Sequence, residues 1–169
     1  PALQAGEWWR LLTHQYMHAN WIHLGINLTA LWAIGSMTVR LLGAWPVLGL
    51  YTLSGVAGGL VQGWLSPQAA CLGASGAVMG TLGALGVAVW RAGDRLPARW
   101  RSRFLKRFGL LVLLQFGADT LIPGVAAADH VAGLVAGALM ALCLPVRLRA
   151  GPADVAVQRP IGEVSPSGG

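Results

Sequence analysis

ACLGASGAVMGTLGALGVAVW, residues 70–90, runs for 21 positions without a charged side chain. As a helix it would cover about 30 Å, the hydrocarbon thickness of a bilayer. Within it Gly76 and Gly80 stand four apart, a spacing that lets helix backbones approach closely in lipid. The same spacing recurs at Gly55, Gly59 and Gly63 on one side and at Gly133 and Gly137 on the other.

Outward from this stretch, four more apolar runs read as spans: 21–39, 45–65, 108–122 and 126–146. The fourth in chain order is the weakest, being short and carrying Gln115 and Asp119. The chain of 169 residues is 55% hydrophobic and 11% charged, too apolar for an ordinary soluble domain. The fold class expected is therefore all-α, a polytopic transmembrane helix bundle. Residues 1–20 mix polar groups with Trp8, Trp9 and Tyr16, aromatics suited to the membrane boundary, and read as an outer-surface segment. Residues 21–147 form the membrane core, and 148–169, rich in Pro, Gly and scattered charge, read as a disordered cytoplasmic tail.

The net charge of +6 is unevenly placed. Seven of the twelve basic residues, Arg91, Arg95, Arg99, Arg101, Arg103, Lys106 and Arg107, fall in the connector between the third and fourth spans. Arg40 follows the first span and Arg147 and Arg149 the fifth, while the connectors around Pro67 and Pro123 carry none. That alternation puts the basic ends in the cytoplasm and the proline connectors outside, the pattern of a multi-pass protein that suits a bacterial inner membrane. It argues against nucleic acid as a partner and for contact with anionic lipid head groups. Cys71 and Cys143 would sit ~20 Å apart in depth, too far for a disulfide, and read as small apolar packers.

Polar groups within spans are costly, so each is a functional candidate. Ser75 would lie ~8 Å below the outer end of the third span, His130 ~6 Å below that of the fifth, and His23 and Asn27 ~3 and ~9 Å below that of the first. Three spans thus bring a hydroxyl, two imidazoles and an amide to one layer. A serine becomes nucleophilic when a base takes its proton, and neutral histidine is the usual base. Packing of the Gly76/Gly80 stripe on the Gly133/Gly137 stripe would bring Ser75 to His130. His23, Asn27 and the Ser75 N–H are candidate donors to an oxyanion. Asp129 would point about 100° away from His130 on a helix, so a dyad without an acidic third member is expected.

Together these residues resemble the rhomboid intramembrane serine proteases. Gly73-Ala74-Ser75-Gly76 matches the family's Gly-x-Ser-Gly, and His130-Val131-Ala132-Gly133 with Gly137 its His-x-x-Gly-x-x-x-Gly helix. His23-Leu24-Gly25-Ile26-Asn27 matches its His-x-x-x-Asn helix, Trp9-Arg10 its Trp-Arg loop element, and His14 and His18 its additional histidines. The resemblance runs from about Gly6 to Leu148. It implies Ser75 as nucleophile, His130 as base, and an oxyanion hole of His23, Asn27 and the Ser75 N–H. It also implies transmembrane protein segments as substrates, cut near their outer end, with no cofactor and no metal. The family's core has a helix before the Trp-Arg loop, for which this sequence has no room, so five spans are expected with that first helix missing. Met79 stands where some members place an aromatic, and Met37-Thr38-Val39-Arg40 where members often carry a glutamate.

Competing readings are available. His14 and His18 are four apart and could hold a metal, but no His-Glu-x-x-His pattern or carboxylate pair supports a zinc protease, and loop hydrogen bonding is expected of both. Asp119 could relay protons in a transporter; the expectation is that it caps or ends a short span near the surface. Trp9 and Arg10 read equally as interface anchors. A catalytically inactive relative that binds transmembrane helices is the main alternative, and a small transporter the next; the latter should show broken helices about a midplane site.

Overall fold

Hydrogen bonding decides this architecture, because a backbone in lipid must satisfy its own N–H and C=O groups and helices do so within one segment. The computed structural model describes residues 3–121 and 126–147, and among them every regular element is helical. A short α1 (Arg10–Thr13) runs into a 3₁₀ turn at His14–Tyr16. The long helices are α2 (Trp21–Leu42), α3 (Ala44–Leu65), α4 (Ser75–Ala92), α5 (Ala98–Leu121) and α6 (Ala127–Cys143). The tail expected at 148–169 lies outside the described residues.

Local chemistry sets the ends of these helices. The Asn20 side chain caps α2 by accepting from the His23 N–H at 2.9 Å. At the other end Gly43 alone separates α2 from α3, with φ of 92°, where a side chain would be strained. Arg91 crosses from the end of α4 to donate to the Ala141 and Leu144 carbonyls at 2.9 and 2.6 Å, taking up acceptors that the end of α6 leaves open.

Two boundaries differ from the sequence reading. The third helix starts at Ser75 rather than near residue 70, because Gly73 at φ 120° ends an irregular segment that follows Pro67. The fourth begins at Ala98, just after Pro97, whose carbonyl accepts from Trp100 and Arg101 at 2.9 and 3.0 Å. The basic stretch is thus mostly helix: arginine and lysine are good helix formers, and a 3₁₀ turn at Gly93–Arg95 followed by Leu96 and Pro97 separates α4 from α5.

α4 is the central helix, buried along nearly its whole length and packed most closely on α6, then on α3 and α2. The glycine stripes make that contact, as expected from their spacing. A Cβ on Gly137 would lie 2.6 Å from the Gly80 Cα, and one on Gly133 2.9 Å from the Gly76 carbonyl carbon. Leu42, Leu85, Val89 and Ala141 fill the core at the other end of the bundle. Among the described residues α5 packs mainly on α4 and α6, and sparsely. The outer surface is apolar: Leu53, Leu113 and Leu139 are exposed along α3, α5 and α6, and Trp21, Trp45 and Trp64 stand exposed at helix ends where boundary aromatics belong. By length and hydropathy together, α2 and α3 can cross a membrane on their own; α6 is apolar but shorter, α4 is shielded by its neighbours, and α5 carries the basic residues.

Candidate active site

Three helix N-termini meet at one end of the bundle. Ser75 is the first residue of α4, and the first N–H to bond back is that of Val78, to the Ala74 carbonyl at 2.9 Å. The N–H groups of Ser75, Gly76 and Ala77 therefore have no acceptor within the helix, and the helix dipole puts partial positive charge where they point. This placement corrects the expected start of that helix near residue 70: Ser75 is its first residue rather than a turn or more inside it. It also gives the serine a ready set of donors that a mid-helix position would lack.

His130, one turn into α6, is 4% exposed. Its Nε2 lies 2.7 Å from Ser75 Oγ. On the other side of the ring, Nδ1 lies 2.9 Å from both Asp119 oxygens, which as a carboxylate can only accept. The tautomer follows: Nδ1–H donates to Asp119, and Nε2 accepts from the serine hydroxyl. Asp119 is buried and is held in turn by Gln115, whose Nε2 donates to Oδ1 at 2.8 Å. Two expectations are corrected here. Asp119 does end α5, lying in its last turn, but it is buried against His130 rather than capping the helix, and the serine–histidine pair is not without an acidic neighbour. The last turn of α5 lies beside the first turn of α6, which carries the carboxylate inward. Asp129 does stay clear of the His130 ring, turning towards Gly58 and Gly76.

The segment before α2 fastens the backbone that leads into Ser75. The His14 carbonyl accepts from Gly73 N–H at 3.0 Å, and His18 Nε2 from Ala74 N–H at 3.4 Å. The His18 and His23 rings meet edge to face with centroids 5.1 Å apart. A Cβ on Gly73 would come within 2.9 Å of the His23 ring and 3.7 Å of Ser75 Oγ, so the ring of His23 and the serine oxygen flank the same backbone atom. Asn27 is buried one turn further in, and one of its amide hydrogens goes to the His23 carbonyl at 2.9 Å. Trp9 is exposed, and Arg10 pairs with Glu7 on the surface. Neither is brought to Ser75.

A second polar cluster lies behind the first. His14, Cys71 and Asp129 offer atoms within 4.8 Å of one another. Burial alone would lower the His14 pKa, but the Asp129 carboxylate, then the Cys71 sulfur and the Arg10 carbonyl, reverse this and raise it to about 10. These neighbours favour positive charge.

A hydroxyl on a helix N-terminus with an imidazole behind it, within an apolar helical bundle, is an arrangement able to support acyl transfer. The chain belongs to the rhomboid family: the Rhomboid domain model matches residues 5–147. It is 33% identical over 146 residues to rhomboid protease GluP of Bacillus subtilis (strain 168), covering 83% of this chain and 27% of that protein. It is 35% identical over 136 residues to rhomboid protease GlpG of Pectobacterium atrosepticum, covering 79% of this chain and 47% of the relative; GlpG of Yersinia pestis (strain Pestoides F) matches with the same identity and coverage. The chain thus spans less than half the length of these curated relatives.

Proposed function

We propose that this chain is an intramembrane serine endopeptidase that cuts transmembrane segments of other membrane proteins near their outer end. The observation carrying the reading is the 2.7 Å approach of Ser75 Oγ to His130 Nε2. In the acylation step the serine O–H proton passes to Nε2 as Oγ bonds to the scissile carbonyl carbon. The resulting oxyanion is met by N–H groups at the start of α4, with His23 and Asn27 as further donors. The imidazolium then gives its proton to the departing amine, and water releases the acyl group by the same steps in reverse order. Asp119 is a positioning residue in this scheme, holding the ring with Nδ1 protonated and offsetting the charge the ring acquires.

Gly73, Gly76, Gly133 and Gly137 support the site by allowing close backbone approach, His18 by holding the Ala74 N–H, and Trp9 and Arg10 by anchoring the leading segment at the boundary. The apolar exterior and the bacterial relatives favour a bacterial inner membrane, with the basic turn and start of α5 in the cytoplasm. Lipids cover the exterior.

The test is cleavage of a reporter transmembrane segment by the purified chain in liposomes, with labelling by a fluorophosphonate as a second readout. Ser75→Ala and His130→Ala should each abolish cleavage, and Ser75→Ala labelling as well, with helix content unchanged. Undiminished cleavage by Ser75→Ala would falsify the assignment. Binding of the reporter without cleavage by the wild type would instead favour the helix-binding, inactive alternative.

A further inference from the structure

His14, Cys71 and Asp129 come from three separate parts of the chain, and the serine chemistry uses none of them. His14 Nδ1 lies 3.0 Å from the Arg10 carbonyl, an acceptor, so that nitrogen carries a proton, and Nε2 is the nitrogen that can bind a metal ion once its own proton is released. Nε2 and Asp129 Oδ1 are both buried without a hydrogen-bond partner, and they face each other at 3.9 Å. That is too long for a hydrogen bond; with a proton on Nε2 the two form an ion pair, and a metal ion that displaces this proton would be held by both. His14 and Cys71 also line a cavity of about 390 Å³ that can bring water.

We propose that these three side chains form a zinc site, with a water from the cavity as fourth ligand. One nitrogen, one sulfur and one oxygen suit a borderline-soft ion of tetrahedral preference. Bond lengths of 2.0–2.3 Å put ligands at roughly 3.4–3.7 Å from one another. The 3.9 Å pair is near that spacing, and the 4.8 Å bound asks for a contraction of roughly 1.1–1.4 Å at most. The Arg10 carbonyl provides the outer support that a ligating histidine ordinarily has on its other nitrogen. Space for the ligands is cut out of the helices by glycines. A Cβ on Gly59 would strike the His14 ring at 2.5 Å, and one on Gly58 or Gly76 would strike the Asp129 carboxylate. The ion would join the segment before α2, the loop four residues ahead of Ser75 and the residue next to His130, fastening both halves of the serine–histidine pair from behind. The expectation of no metal, drawn from the sequence, considered His14 with His18; the structure groups His14 with Cys71 and Asp129 instead.

The test takes the full chain in detergent, stripped by a chelator, and titrates it with Co²⁺ and then Zn²⁺. Expected are uptake of one equivalent of Co²⁺ with a thiolate-to-cobalt charge-transfer band, its loss on adding Zn²⁺, and a higher melting point by circular dichroism. Cys71→Ser should lose the band while Cys143→Ser keeps it, and His14→Gln and Asp129→Asn should weaken Co²⁺ binding by about tenfold or more. Melting of the metal-free variants shows whether each is folded, and Cys71→Ser, in a loop and partly exposed, is the variant least exposed to that risk. No saturable uptake by the wild type, or a band that survives Cys71→Ser, overturns the proposal. Neither readout requires cleavage, so the zinc site and the protease assignment can fail separately.

Discussion

Gly133→Ala adds one methyl group where α6 crosses α4, one turn from His130 and against the residue that follows Ser75. Its Cβ would sit 2.9 Å from the Gly76 carbonyl carbon and nearer still to the oxygen, whereas ordinary contact begins at 3.4 Å. The obstacle is backbone on both sides, so no rotamer change relieves it, and α6 must draw back by about 1 Å. A retreat of that size stretches the 2.7 Å contact between Ser75 Oγ and His130 Nε2 beyond hydrogen-bond range. A misplacement of about 1 Å can cost roughly 100-fold in rate, and overpacking a close crossing about 1–3 kcal/mol in stability. The assay is the rate of fluorophosphonate labelling alongside thermal melting in detergent, with Gly25→Ala and Gly117→Ala as controls. A Cβ at either control position meets nothing within 4 Å, and alanine should stabilise those helices by up to about 1 kcal/mol. If Gly133→Ala labels within threefold of the wild type and melts no earlier than the controls, the backbone contact does not set the geometry of the pair, and the reasoning fails.

Asp119→Asn should lower kcat by about 100-fold or more with little change in KM, because the amide can neither hold the protonated Nδ1 as an anion does nor offset the imidazolium; steady-state kinetics on the reporter segment checks this. His23→Ala and Asn27→Ala should each reduce kcat by about 100 to 1,000-fold if they meet the oxyanion, and a loss confined to KM would remove them from that role. Arg91→Ala should destabilise the chain by about 1–2 kcal/mol in a denaturation series by uncapping α6, while the labelling rate of the folded fraction stays at the wild-type value, since Arg91 lies at the opposite end of the bundle.

The features that could be read from residue order are those fixed by helical rise and by small-residue spacing. Gly76, Gly80, Gly133 and Gly137 share two faces by spacing alone, and the meeting of Ser75, His130 and His23 at one end of the bundle was legible from their places near the outer ends of three spans. The start of α4 was misplaced because apolar composition continues through 70–74, and only the backbone at Gly73 marks the break. The charge pattern of the third connector marks a boundary between spans but not its helical state, although arginine's intrinsic preference is helical. Asp119 was missed for a different reason. Its contact with His130 depends on how α5 leans on α6, which no periodicity encodes; the one available hint was Gln115, a turn earlier on the same face. For Asp129, the rotation argument excluded contact with His130 correctly but could not say what lay in the other direction, and His14 and Cys71, far away in sequence, supplied that neighbourhood.

The carboxylate that orients the His130 ring belongs to α5, the helix least fastened to the rest of the bundle. If the proposed function holds, a substrate segment arriving from the lipid needs a gap, and were α5 to swing outward to provide one, Asp119 would leave with it. The imidazole would then lose its steering partner while the doorway stood open, and peptide bond scission would have to wait for the door to shut.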